Sequence, residues 1–235
     1  MINNVGVGVA AAIVKPTREG SDQQGADWLR RCIIDGVYKS GQRLTETGLA
    51  DEVGLSRSTM RTALLHLQSE GLVDRTAYSA WRVAALSADD ARDVYELRAA
   101  IEGLAARRAA RRPDYLTLDD LRSALDTLTS AVRARADAAT VAAADMEFHA
   151  QIALLSNNKR LIAQYERLRG IIHFYVRAVS MRATPKALIG EHTAIFDAID
   201  KRDPGLAERL AIQHVETHGQ RLENELWQES AQLHP

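Results

Sequence analysis

The sequence predicts a mainly α-helical protein in two parts: a winged helix-turn-helix domain over residues 21–85 and an all-α bundle over 86–235, behind a flexible tail at 1–20. Three observations carry this. Apolar residues recur at helical spacing in two short runs separated by Gly54, with Leu49, Ala50 and Val53 before it and Met60, Ala63, Leu64 and Leu67 after it. Two short β-prone stretches follow, Leu72–Arg75 and Trp81–Ala84, as a wing requires. From Ser87 onward only helical patterns are found, punctuated by Pro113, Asp137, Asn157-Asn158, Thr184-Pro185 and Asp203-Pro204.

The chain has 235 residues, 46% hydrophobic and 26% charged, with a formal net charge of -1. This is a globular balance rather than that of a disordered chain, and any affinity for nucleic acid has to be local. The single cysteine, Cys32, cannot form an intramolecular disulfide and is expected as a buried thiol in a reducing compartment. Val5–Val14 is apolar, but too short for a membrane span and preceded by no basic residue. A cytoplasmic protein without a membrane segment is expected.

The first helix starts at Asp22 or Gly25 and turns Trp28, Leu29, Cys32, Ile33 and Ile34 inward. Thr45-Glu46-Thr47 opens the second, which Gly54 ends at a position needing positive φ. Ser56 caps the third, and Gly71 closes it. Ser87-Ala88-Asp89-Asp90 begins the bundle, with acids at the positive helix end. Helices are expected at 89–112, 118–135, 141–155, 159–182, 185–201 and 205–232; in the first, Val94, Leu97, Ile101 and Leu104 form a core stripe.

Ser56, Arg57, Ser58, Thr59 and Arg61 crowd the first turns of the third helix, the part of a recognition helix that meets base edges. Taken singly, each arginine also fits an ordinary solvated face. Four residues apart and behind an N-cap, they share one face beside free amides that can hold a phosphate. Arginine suits bidentate contact with guanine, worth about 1–3 kcal/mol per contact. In the bundle, Asp145 and His149 lie one turn apart, and His192 and His214 come from two later helices. A carboxylate and three imidazoles could hold a divalent ion, although any one of these histidines also fits a packed or surface position.

LADEVGLSRSTMRTALLHLQSEGLV resembles the helix-turn-helix of GntR-type bacterial transcription regulators. The resemblance assigns Arg57 and Arg61 to operator reading and Ser56 and Thr59 to contact positions beside them. Thr59 stands where many members have proline, Thr47 where an arginine often contacts DNA, and Ala80 where a wing-tip glycine is usual. The same docking with an altered sequence preference follows. Asp145-Met-Glu-Phe-His149, Ser156-Asn157-Asn158, Glu191-His192 and Ala211-Ile-Gln-His214-Val resemble the FCD sensor domain of the FadR-like branch, where one Asp and three His hold a metal. His218 could compete with or support His214, whose flanks match better; His66, His173 and His234 match nothing. The resemblance also points Arg98 into the cavity as a carboxylate receptor; alternatively Arg98 pairs with Glu102 on the surface.

What the resemblance implies is a homodimer on a palindromic double-stranded operator, repressing until a small organic acid binds near the metal. Zinc is the first expectation for the ion, with nickel, manganese or iron as alternatives. Two rival readings of the bundle stay open. One is a metal-dependent enzyme acting on a small carboxylic acid, with Glu147 or Glu191 as base; the other is a metal-free dimerisation module.

Overall fold

A computed structural model of the chain describes residues 15–16, 21–75, 80–178 and 185–233. The expected tail at 1–20, the wing tip at 76–79, the end of the helix predicted to run to 182 and His234 therefore lie largely or wholly outside the described residues. The chain separates into two compact units, the first ending at Ala85 and the second starting at Leu86.

In the first unit, α1 spans Asp22–Ile34, and Ser21 and Gln24 exchange side-chain bonds with each other's backbone in a capping box. Its buried Trp28, Leu29, Cys32 and Ile33 pack against α3 (Arg57–Ser69). Between them lies α2 (Glu46–Val53), capped by Thr45 Oγ1, which accepts from Gly48 N. Gly54 follows at φ +75°, the left-handed turn expected of it. The wing is β2 (Val73–Arg75) and β3 (Trp81–Val83), slightly shorter at its ends than predicted. A third strand, β1 (Arg43–Leu44), was not foreseen. It pairs antiparallel with β3, Leu44 opposite Trp81, giving the order β1-β3-β2. Two residues carry no period; only their partner strand makes them a strand.

The second unit contains α4 (Ala88–Ala110), α5 (Asp119–Arg133), α6 (Ala138–Leu155), α7 (Lys159–Ala178), α8 (Pro185–Asp200) and α9 (Pro204–Leu233). Among its described residues there is no strand. The start of α6 lies three residues earlier than expected, because Asp137 is a cap rather than a break: its Oδ1 accepts from Thr140 N at 2.7 Å. The stripe expected on α4 holds in part: Val94, Ile101 and Leu104 are partly buried and pack against the core, whereas Leu97 is 50% exposed. The fully buried face is Ala91, Tyr95, Arg98, Ala99, Glu102, Gly103, Ala105, Ala106 and Ala109. Small residues let α4 lie close along α9, and two charged residues face the interior with them.

Gly219 on α9 shows how close that approach is. A Cβ there would sit 2.8 Å from Tyr95 Cβ, an atom anchored next to the α4 backbone. Overpacking costs about 1–3 kcal/mol, against about 1 kcal/mol regained in helix propensity. Gly219→Ala is therefore expected to lower Tm by several degrees in differential scanning calorimetry. Gly190→Ala on α8, where nothing lies within 4 Å, is expected to raise it.

Candidate nucleic-acid interface and metal centre

The first turn of α3 is organised by Ser56. Its Oγ accepts from Thr59 N at 3.0 Å and lies 2.8 Å from both Ser58 Oγ and Thr59 Oγ1. Ser56, Ser58 and Thr59 thus form one hydroxyl cluster over the helix start, with Ser56 and Ser58 exposed. Arg57 and Arg61 project outward from the same end, their side chains 73% and 55% exposed. Both lean on one carboxylate: Arg57 Nε is 3.2 Å from Glu46 Oε2 and Arg61 Nε 3.8 Å from Oε1. Glu46 also accepts from Trp81 Nε1 of the wing at 3.2 Å. Burial pushes its carboxyl up, yet Trp81, Arg57 and Arg61 outweigh that and hold it below the usual range.

Sequence reasoning took Glu46 only as part of a helix start. Its position beneath the two arginines depends on how α2 crosses α3, which no local spacing encodes. Glu46→Gln keeps the shape, frees the arginines and removes a negative charge from the face. Non-specific affinity is expected to rise while discrimination between operator and scrambled duplex falls about tenfold, within the range of one lost oriented contact; competition gel shifts measure both.

In the second unit, α6 supplies Asp145 and His149, α8 supplies His192 and α9 supplies His214. All four are buried, and their ligating atoms lie within 4.8 Å of one another. Each imidazole is held by Nδ1: His149 lies 2.7 Å from Glu102 Oε2, His192 lies 2.8 Å from Leu188 O, and His214 lies 2.8 Å from Glu191 Oε2. Nε2 of His149 and of His192 has no hydrogen-bond partner, although Asp145 Oδ1 is 2.9 Å from the latter. Imidazoles anchored through one nitrogen, with the other left bare around a carboxylate, suit a divalent cation. These residues fit the implied metal.

Arg98 is buried, and the pair with Glu102 expected at the surface forms inside the bundle instead, Nε to Oε1 at 2.6 Å. Its Nη2 has no partner, and its guanidinium lies over the Tyr95 ring, 5.2 Å from the centroid. Glu102 therefore joins two candidate groups, touching Arg98 with one oxygen and His149 with the other. Only the possibility of a surface pair with Arg98 had drawn attention to it.

Burial pushes the Glu102 carboxyl up, but Arg98 and His149 bring it down to about 2. Asp145 is held well below the carboxylate range in the same way, burial being outweighed by His192, His149 and Arg98. Burial pushes His214 down to about 3, against the pull of Glu191. Anionic carboxylates and a neutral imidazole are the forms that bind cations. Because the Glu102 pKa is lowered on folding, its contribution is complete above about 4.5 and fades as pH falls towards 2. Glu102→Gln is expected to destabilise the metal-free protein more at pH 7 than at pH 3, by urea denaturation.

Of the remaining histidines, His218 is buried and shares Glu191 with His214, its Nε2 3.1 Å from Oε2. His66 on α3 and His173 on α7 belong to neither group. Glu147, the other candidate base, is exposed on α6 and bonded to Arg169 and Gln151. No described helix is long and apolar enough to cross a membrane.

Residues 93–217 match the FCD domain family, and residues 23–83 match "Bacterial regulatory proteins, gntR family". The chain is 28% identical over 192 residues to an uncharacterised HTH-type transcriptional regulator, YdhC, of Bacillus subtilis strain 168, covering 81% of this chain and 84% of that one. It is 28% identical over 200 residues to a probable D-xylose utilization operon transcriptional repressor of Paenarthrobacter nicotinovorans, covering 85% and 87%. Among solved structures, a putative transcriptional regulator GntR from Rhodococcus sp. RHA1 superposes with a TM-score of 0.70 at 22% identity, covering 86% of this chain and 96% of that one. That likeness is one of fold.

Proposed function

Because the chain belongs to the gntR family of bacterial regulatory proteins and carries an FCD domain, it is a DNA-binding transcriptional regulator, and we propose that a small organic acid bound beside a divalent cation controls its hold on DNA. The observation that carries this is a chain of close contacts in the second unit. Arg98 Nη2 is unpaired, Arg98 Nε meets Glu102, Glu102 meets His149, and the bare Nε2 of His149 belongs to the four-donor set. An acid held by Arg98 is thereby one carboxylate removed from a metal ligand. A planar pair of donors suits a carboxylate. Asp145, His149, His192 and His214 would hold the ion, zinc being the first choice for three imidazoles and a carboxylate.

In this reading Arg57 and Arg61 read base edges, while Ser56, Ser58 and Thr59 place the helix start against a phosphate. Two copies present two such helices to the halves of a palindrome, with half-sites about 10 base pairs apart centre to centre. The acid prefers one arrangement of the dimer and so shifts DNA affinity. Repression released by the acid is the direction we favour; the Paenarthrobacter relative, named a probable repressor, supports it. The site of action is the cytoplasm. The enzyme alternative has no support from a family of transcriptional regulators.

A thermal-shift screen of small carboxylic acids with and without added zinc tests the proposal, since a ligand present at a hundred times its Kd adds about 2.7 kcal/mol of stability. An acid that shifts Tm only when zinc is present, and releases a selected duplex in a gel shift, is the expected result. Acids that shift Tm equally with zinc and after chelation would refute the link to the metal.

A further inference from the structure

We propose that Tyr95 is a second effector-reading residue, its hydroxyl and Arg98 Nη2 donating together to one carboxylate of the acid. The inference rests on Arg98 being the receptor of that acid. A guanidinium grips a carboxylate side-on through Nε and Nη2, in two parallel N–H bonds. Here that fork is half spent: Nε is held by Glu102 Oε1 at 2.6 Å, and Nη2 has no partner. A carboxylate brings two oxygens, so the second needs a donor from elsewhere.

Tyr95 supplies one. It precedes Arg98 by three residues on α4 and so shares its face. The guanidinium stands over its ring, 5.2 Å from the centroid. The side chain is buried, and its hydroxyl has no hydrogen-bond partner. The charges of Arg98, Asp145 and Glu102 all act on the phenol, which puts its oxygen on the side of the candidate metal ligands. Burial pushes the phenol up against the pull of Arg98, so it keeps its proton and stays a donor.

Neither packing nor the contact with Arg98 accounts for the hydroxyl. A phenylalanine would fill the same space and offer the same ring face to the guanidinium, with no buried polar atom left unpaired. Tyr165 on α7 is the contrast: it is also buried, but it donates to Met146 O at 3.3 Å. The Tyr95 ring is moreover fixed in direction. Gly219 of α9 lies so close that an added Cβ would come within 2.9 Å of Tyr95 Cδ1. A donor already held in place loses little freedom when the ligand arrives.

Tyr95→Phe in the full-length, zinc-loaded protein is the test, since it keeps the ring and removes only the hydroxyl. Acetate, succinate and citrate (a mono-, a di- and a tricarboxylate) are titrated calorimetrically, and Tm is measured without acid. At least one acid is expected to bind wild type, and to bind Tyr95→Phe about tenfold more weakly, the size of one hydrogen bond to a charged group. The same acid should produce a tyrosine difference-absorption band in wild type that the variant lacks. Without acid, Tyr95→Phe is expected to melt about 2–4 °C above wild type, because an unpaired polar atom has gone, whereas Tyr165→Phe melts below it. Undiminished acid affinity in Tyr95→Phe overturns the proposal and leaves water as the hydroxyl's partner, while the acid reading of Arg98 stands. A Tm of Tyr95→Phe below wild type overturns it too, since the hydroxyl would then be bonded within the fold. If none of the three acids binds wild type, the acid reading and the role of Tyr95 fall together.

Discussion

Replacing Arg57 and Arg61 together by alanine is expected to bring operator affinity down to the level of random duplex DNA. Each bidentate arginine contact discriminates by about 1–3 kcal/mol, and a dimer would lose four of them. The whole gap between specific and non-specific binding is about 4–10 kcal/mol, so the double variant removes most or all of it. Folding should be spared: both side chains are largely exposed, and exposed substitutions usually stay within about 0.5 kcal/mol. Fluorescence anisotropy against a selected duplex, with scrambled competitor and a matched Tm, separates lost recognition from lost structure. Retained sequence-specific binding would refute the assignment of this helix. The effect also differs from that of Glu46→Gln, where the arginines stay and only their orientation is released. If both variants lost affinity equally, Glu46 would be acting as more than a positioning residue.

His192→Ala is expected to have the second largest effect, on metal content. His192 is fully buried, donates from one end of its ring to Leu188 O and offers the other to the four-donor set. Alanine removes a ligand and also leaves Asp145 as a buried carboxylate without its closest partner. Breaking a buried charged pair by deleting one partner costs about 3–5 kcal/mol. Metal analysis after dialysis against zinc should show about one ion per protomer in wild type and background in the variant. The variant should also lose the zinc-dependent rise in Tm and any zinc-dependent response to an acid. Equal metal in the two proteins would remove the site, and equal, negligible metal in both would favour a metal-free scaffold.

Several features were legible in local sequence because local physics decides them. Gly54 had to end α2, since φ +75° is open to glycine at little cost, and Ser56 had to cap α3, since a hydroxyl there satisfies an orphan amide. Asp145 and His149 could be placed on one face because a helix brings residues four apart together. That His192 and His214 meet them could not be read from spacing; it came from resemblance, and the packing of α8 and α9 against α6 and α4 supplies it physically.

By itself the sequence determined the helical character of both units, the turn before the recognition helix, and which residue types were available for DNA and metal chemistry. Only the tertiary structure decided which faces turn inward. It exposes Leu97 and buries the Arg98–Glu102 pair, because the small residues of α4 must lie against α9. It makes a strand of Arg43–Leu44, because β3 is there to pair with it. It gives Glu46, Glu102 and Glu191 their meaning, because a carboxylate acquires a role from the charges that converge on it across helices. Those charges are 11 to 47 residues away in the chain, except for Arg98, and no helical or strand period reaches so far.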